Sequence, residues 1–385
     1  MSVSVPLDDV SSHPPRSASD LKSRAVFGLF MLVGFIIGII LQNDVVDWCV
    51  HWAINKDGDC SSSECVGTQS AYRVSFALFI FFLVHYLFSH SWNCCLDADA
   101  RVGFNRPHMI MRTIAFAAIF LLTFVIPNTF FTYYAWFALV VSCFYLIGQL
   151  VLLLHFAYEW NDNWRNRESN AFTYGLLFCT VGLFVGGLVV VGYLYKWFGN
   201  ESECVTGQAM ITLTLLLGIV YTLLCLRVPH GSLLPSSVVF AYTVWLAYSG
   251  LSGGIAPGAC NTVQSSSTTQ MIIGAVVAAL SLVIAATNAG QSREAFELSS
   301  SSGEGLSEVE LAANSFQFFH LMMMMGSCYM AMLLTSWAIT GAHGIDSNAD
   351  SGKASMGAKF TSEFLAALLY IWTLAAPMLF PDREF

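Results

Sequence analysis

Three groups of residues in this sequence have types and spacings that chemistry could use. His155, Glu159 and Asp162 fall at i, i+4 and i+7, on one stripe of a helix. An imidazole with two carboxylates is a donor set for a divalent metal, provided a second helix supplies a further ligand. Gly250-Leu251-Ser252-Gly253-Gly254 satisfies G-x-S-x-G, and Ala342-His343-Gly344 offers a histidine, the pair an intramembrane serine hydrolase would use. His85, Gln149, His320 and Glu363 are polar or ionisable groups within or at the edge of apolar runs. Such groups must find partners inside a bundle or mark a polar path.

A simpler reading competes with each. Trp160 and Trp164 flank the carboxylates of the first set, as in an interfacial segment with aromatic anchors and solvated acids. Ser252 ends an apolar run and opens a Gly-rich loop, without the strand–turn–helix setting of a nucleophile elbow. Lone histidines on apolar helices are commonly hydrogen-bonded packing residues. Met322 to Met325 are consecutive, whereas thioether ligands would be spaced along one face, so they read as soft lipid-facing or packing surface. Gln149, His155, Glu159, His85, His320 and Glu363 therefore stand as candidates for lining a lipid path. No catalytic residue, metal or cofactor is expected.

These residues must be positioned by membrane-spanning helices. The 385 residues are 56% hydrophobic and only 11% charged, with a mean hydropathy of +0.63, where soluble domains carry about 25% charged residues. The net charge of −9 excludes nucleic acid as a partner, because a polyanion needs a basic face. Apolar runs lie near 25–41, 72–89, 109–126, 133–158, 172–195, 208–226, 236–251, 271–288, 316–340 and 360–380. The expected fold is an all-α polytopic membrane protein of about ten transmembrane helices. Residues 1–24 read as a disordered cytosolic tail, 25–385 as one multi-pass membrane domain, and 289–315 as a mobile cytosolic loop. The run from Tyr133 to Tyr158 would span about 39 Å as a helix. A hydrocarbon core of roughly 30 Å therefore requires it to tilt. Within 172–195, Gly182 and Gly186 form a G-x-x-x-G that predicts close helix packing.

Charge placement orients the chain. With both termini cytosolic, eleven basic residues lie inside (Arg16, Lys22, Arg24, Arg101, Arg106, Arg112, Arg165, Arg167, Arg227, Arg293, Arg383) and five outside (Lys56, Arg73, Lys196, Lys353, Lys359). Arg73, near the outer boundary, is expected to snorkel. The sequon at Asn200 falls in an outer loop, where glycosylation occurs. Cys49, Cys60, Cys65, Cys204 and Cys260 also fall in outer loops and are disulfide candidates, their pairing open. Cys94 and Cys95 lie beside a span on the inner side and are palmitoylation candidates.

Five stretches carry a resemblance: YRVSFALFIFF (72–82), IGQLVLLLHFAYEWNDNW (147–164), GSLLPSSVVFAYTVWLAYSGLS (231–252), FFHLMMMMGSCYMAMLLTSW (318–337) and LLYIWTLAAPMLFPDREF (368–385). In content, order and spacing the chain resembles the serine incorporator family of multi-pass membrane proteins. The resemblance implies two helical bundles crossed by one long oblique helix, the part that length assigns to Tyr133–Arg167. It also implies handling of serine-containing lipids: support of phosphatidylserine and sphingolipid synthesis, or movement of phospholipids between leaflets without catalysis. The implied partners are membrane phospholipids and serine, in an endomembrane or the plasma membrane, with room for homo-oligomers. The chain departs from the family pattern at its opening MSVSVPLDDV, at His155 where an Asp is usual, and at Glu363 where a small polar residue is usual. A secondary transporter for serine or another small polar solute is the alternative, and it calls for carboxylates or broken helices at mid-depth. Glu363 is read as lying near an outer end, which weighs against that alternative. The hydrolase reading ranks behind both.

Overall fold

The computed structural model describes residues 18–42, 50–55, 60, 62–90, 97–106, 108–167, 169–228, 231–255, 258–263, 272–277, 308–335, 337 and 348–379. Among them the only β pairing is an isolated bridge between Gly258 and Asn261. Among the described residues the principal helices are α1 (Ala18–Leu41), α2 (Ser63–Ser89), α3 (Ala98–Phe104), α4 (Met109–Thr123), α5 (Asn128–Arg165), α6 (Asn170–Phe198), α7 (Val205–Arg227), α8 (Leu233–Gly254), α9 (Glu308–Leu334) and α10 (Asn348–Leu379). Seven are long and apolar enough to cross a membrane, and α4 is a shorter apolar helix. The protein is an all-helical, polytopic membrane protein.

The distribution of polarity fits that solvent. Hydrocarbon offers no partner to backbone N–H and C=O, so apolar runs close their hydrogen bonds internally as helices. Ile110, Val125 and Phe178 are more than three-quarters exposed, while Arg73, His320, Lys359 and Glu363 are 2% exposed or less. Large apolar side chains cover the outer surface as well as filling the core, and these charged and polar groups lie inside, unlike the surface of a water-soluble protein.

One helix joins two groups. α1, α2, α4 and α9 enclose a core of Phe27, Phe30, Phe81, Phe82, Phe116 and Phe319. α6, α7, α8 and α10 pack together on the other side, and α5 packs against both α2 and α9 and against α6, α8 and α10. Its 38 residues extend about 57 Å, so it must tilt or project beyond the hydrocarbon layer. Met322 and Met323 are fully buried, making the methionine run packing surface between helices.

Several boundaries differ from expectation. Helix α1 begins at Ala18, with Ser23 and Arg24 buried, so the tail reading fails over 18–24. Helix α9 begins at Glu308, taking 308–315 out of the expected loop, and Arg24 donates to Ser315 Oγ at 2.5 Å. Helix α10 begins at Asn348, twelve residues before the expected span, because Lys353 and Lys359 continue the helix without breaking it. Of the apolar run 271–288, only 272–277 are among the described residues, and they are helical.

Two packing expectations are corrected. A Cβ at Gly182 or Gly186 would meet nothing within 4 Å. The close approach is made by Gly187, where a Cβ would lie 2.5 Å from the Phe240 ring of α8. Gly218 of α7 bounds that ring's other edge at 2.8 Å. Arg73 does not snorkel. It is 1% exposed and donates to the Ile126 carbonyl (3.1 Å), Asn128 Oδ1 (2.8 Å) and Gln69 Oε1 (3.1 Å). Its guanidinium also lies 4.3 Å from the Phe131 ring centroid. Asn128 Nδ2 donates to the Ile54 carbonyl at 2.8 Å. The side chain is thus a knot tying α2, the start of α5 and the segment around Ile54.

Candidate functional site

At one end of the first group, His85 and His320 meet. α2 carries the former and α9 the latter, with ring centroids 5.3 Å apart. Both stand edge-on to Phe27 of α1, at 4.9 and 4.5 Å. The Arg112 guanidinium covers the same ring at 4.2 Å and donates to the carbonyls of Phe104 and Arg106. His85 Nδ1 lies 2.8 Å from the Phe81 carbonyl, so it donates there. His320 Nε2 lies 2.7 Å from Asn105 Oδ1, and Asn105 donates onward to Ser89 Oγ and the Arg101 carbonyl. With each histidine held by a polar partner inside an aromatic core, this cluster fastens α1, α2, α3, α4 and α9 together.

The second group holds a different set. Gln149 of α5 is 1% exposed. Its Oε1 lies 3.4 Å from the Tyr242 hydroxyl of α8, which gives its one hydrogen to the Leu146 carbonyl at 2.7 Å. Gln149 Nε2 has no partner among the described residues. About 9 Å back along α5, the Cys143 carbonyl accepts from Ser362 of α10. Beside Ser362, Lys359 and Glu363 stand one turn apart on α10, each 2% exposed. Lys359 Nζ donates to the Ser249 carbonyl of α8 at 2.9 Å and faces the Trp337 ring at 4.6 Å. Trp337 has a φ of 64°, a left-handed conformation that costs a bulky residue about 1–3 kcal/mol. The strain is spent where the ring meets the buried ammonium. Glu363 Oε1 lies 2.7 Å from Thr214 Oγ1 of α7, and Oε2 has no partner among the described residues. Along the same seam, Tyr370 meets Ser236 at 2.7 Å and Tyr158, and Tyr221 meets Thr243 at 3.4 Å.

Gln149, between α5 and α8, and Glu363, between α10 and α7, thus lie in the same helical group with hydrogen-bonding capacity unfilled among the described residues. Glu363 is not near an outer end: it lies midway along α10, and Thr214 lies near the middle of α7. Lys359, Thr214, Tyr242 and Trp337 were not identified from sequence. The i, i+4 spacing of Lys359 and Glu363 was the available signal for the first, obscured because Lys359 was read as ending a span.

His155 and Glu159 are half-buried toward the end of α5 and Asp162 is exposed. Among the described residues no three His, Cys, Asp or Glu side chains converge on one point. Ser252 donates its hydroxyl to the Tyr248 carbonyl at 2.7 Å, as a helical serine commonly does. Its supposed partner His343 lies outside the described residues, as do Cys49, Cys94 and Cys95. Cys60 pairs with Cys65 and Cys204 with Cys260. Asn200 is exposed in the turn between α6 and α7.

The family model described as "Serine incorporator (Serinc)" matches residues 3–314 and 304–383. A probable serine incorporator of Nematostella vectensis is 29% identical, covering 96% of this chain and 92% of that protein. Serine incorporator 3 of Bos taurus is 25% identical over 96% of this chain and 94% of its own length. Serine incorporator 2 of Homo sapiens is 24% identical over 96% and 93%.

Proposed function

From the premise that this chain belongs to the serine incorporator family, we propose that it moves or presents serine-containing phospholipids without covalent catalysis. The observation that carries the reading is the polar seam inside the second helical group. Among the described residues, Gln149 Nε2 (between α5 and α8) and Glu363 Oε2 (between α10 and α7) lack partners there and Lys359 is buried, in a molecule whose outer faces are apolar. A headgroup crossing hydrocarbon loses its hydrogen bonds at a cost of several kcal/mol. A seam with spare donors and acceptors lowers that cost while the acyl tails stay among exposed side chains. The excess of basic residues supports a reading with both termini in the cytosol and the Asn200 loop and the two disulfides toward the lumen or exterior, in an endomembrane or the plasma membrane.

The test is dithionite quenching of fluorescent phospholipid in sealed proteoliposomes. Lipid exchange gives quenching beyond the outer-leaflet fraction, and Gln149→Leu slows it. Quenching no greater than in protein-free vesicles overturns the reading. Mid-helix placement of Glu363 favours one second reading, a secondary transporter for serine or another small polar solute. Flux of labelled serine into the same vesicles, with no lipid exchange, would select it.

A further inference from the structure

Glu363 lies fifteen residues after Asn348 and sixteen before Leu379 in α10, and is 2% exposed. Its contacts specify where a hydrogen must be. Thr214 Oγ1 lies 2.7 Å from Glu363 Oε1 and 3.0 Å from the Met210 carbonyl. A hydroxyl has one hydrogen to give. When threonine gives it to the i−4 carbonyl, the usual choice in a helix, the short contact with Glu363 needs a hydrogen from the carboxyl. When threonine gives it to Glu363 instead, an ionised carboxylate holds one neutral hydrogen bond and leaves Oε2 bare. That arrangement is strongly unfavourable at a buried site. A protonated carboxyl fits every distance: its O–H donates to Thr214, Thr214 donates to Met210, and only a carbonyl oxygen goes unpaired.

Nothing described nearby supplies a countercharge. Lys359 is one turn away, but its ammonium is engaged by the Ser249 carbonyl and the Trp337 face and forms no ion pair with Glu363. α8 contains no charged residue. The only one on α7 is Arg227, thirteen residues and about 20 Å from Thr214. On α5, His155, Glu159, Asp162 and Arg165 begin twelve residues, about 18 Å, beyond Cys143. On α10, Lys353 and Asp350 are ten and thirteen residues away, about 15 and 20 Å. The weaker acids facing it are neutral as placed: Tyr221 shares a hydrogen bond with Thr243, and the Cys143 thiol donates to the Leu139 carbonyl.

We propose that Glu363 is an intramembrane proton-binding site, occupied when α7 is closed onto α10 and emptied when the two part. Loss of the proton leaves a buried anion with one neutral hydrogen bond from Thr214 and a bare Oε2. Relief comes from drawing in water or turning toward Lys359, and either breaks the Thr214 contact that joins the helices.

The experiment uses the full chain in lipid nanodiscs and reads no lipid movement, so its failure is separate from failure of the proposed function. The infrared difference spectrum of wild type minus Glu363→Gln at neutral pH should show the C=O stretch of an un-ionised carboxylic acid, shifted in heavy water. Thr214→Val should move that band by removing its hydrogen-bond partner, without abolishing it. Only carboxylate bands in the difference spectrum would overturn the proposal. For the coupling, spin labels at Leu213 and Leu365, both exposed, should separate as alkaline titration removes the band in wild type. They should stay fixed in Glu363→Gln. An unchanged wild-type distance after the band is lost refutes the link to helix packing.

Discussion

Replacing Gly187 with Ala tests how α6, α7 and α8 are held together. The added methyl would lie 2.5 and 2.7 Å from two carbons of the Phe240 ring, about 0.9 Å inside the 3.4 Å at which ordinary contact begins. The ring has little room to retreat, because its opposite edge faces Gly218, where a Cβ would lie 2.8 Å away. Phe184 stands 5.9 Å from it, centroid to centroid. Overpacking of this kind costs about 1–3 kcal/mol, whereas Gly182→Ala and Gly186→Ala, open on every side, should stay within about 0.5 kcal/mol of wild type. Unfolding of purified protein in mixed micelles, followed by tryptophan fluorescence, gives the differences. Phe240→Leu should destabilise alone yet absorb the Gly187→Ala penalty, with a favourable coupling of roughly 1 kcal/mol in the double-mutant cycle. Equal costs at Gly186 and Gly187, or no coupling, would refute the reasoning.

Other outcomes follow from buried polar groups and covalent ties. Arg73→Met removes the bonds to the Ile126 carbonyl and Asn128 and should cost about 3 kcal/mol in thermal denaturation. Arg73→Lys should recover little of that, since one ammonium cannot span the same acceptors. Cys204→Ser opens a bridge of sequence separation 56 and should destabilise by at most about 4 kcal/mol, against about 2 for Cys60→Ser with separation 5. Expressed in cells that glycosylate, the chain should show a glycosidase-sensitive gel shift that Asn200→Gln abolishes. No shift in the wild type would reverse the orientation argued from basic residues.

Membrane class and the long α5 were legible because both depend on counting apolar residues, which a bilayer selects for directly. Pairing of particular side chains was not. His85 and His320 each read as solitary, since 235 residues separate them and only the packing of α2 on α9 brings their rings together. Arg73 read as a snorkelling cation because sequence gives height along a helix but not the direction it faces. The G-x-x-x-G at 182–186 misled for the same reason: the motif records small residues, and the packed face is fixed by Phe240 of another helix. Lys359 was misplaced because a charge was taken to end a span, whereas Ser249 and Trp337 stabilise it within the core.

The Cys204–Cys260 bridge fixes the loop between α6 and α7 to the exit of α8. Thr262 reinforces it by donating its backbone N–H to the Trp197 carbonyl at 3.2 Å. Those three helices are therefore riveted at one end. At the opposite end α7 runs into α8 through the short link 228–232, and only side-chain packing holds α6 to that pair. Any splaying of α6 from the pair has its fulcrum at the rivet, and displacement grows with distance from it. The opening is wedge-shaped, widest toward the leaflet opposite the bridge. Cutting the bridge would free α8 from α6 at that end and leave the turn between α6 and α7 as the fulcrum.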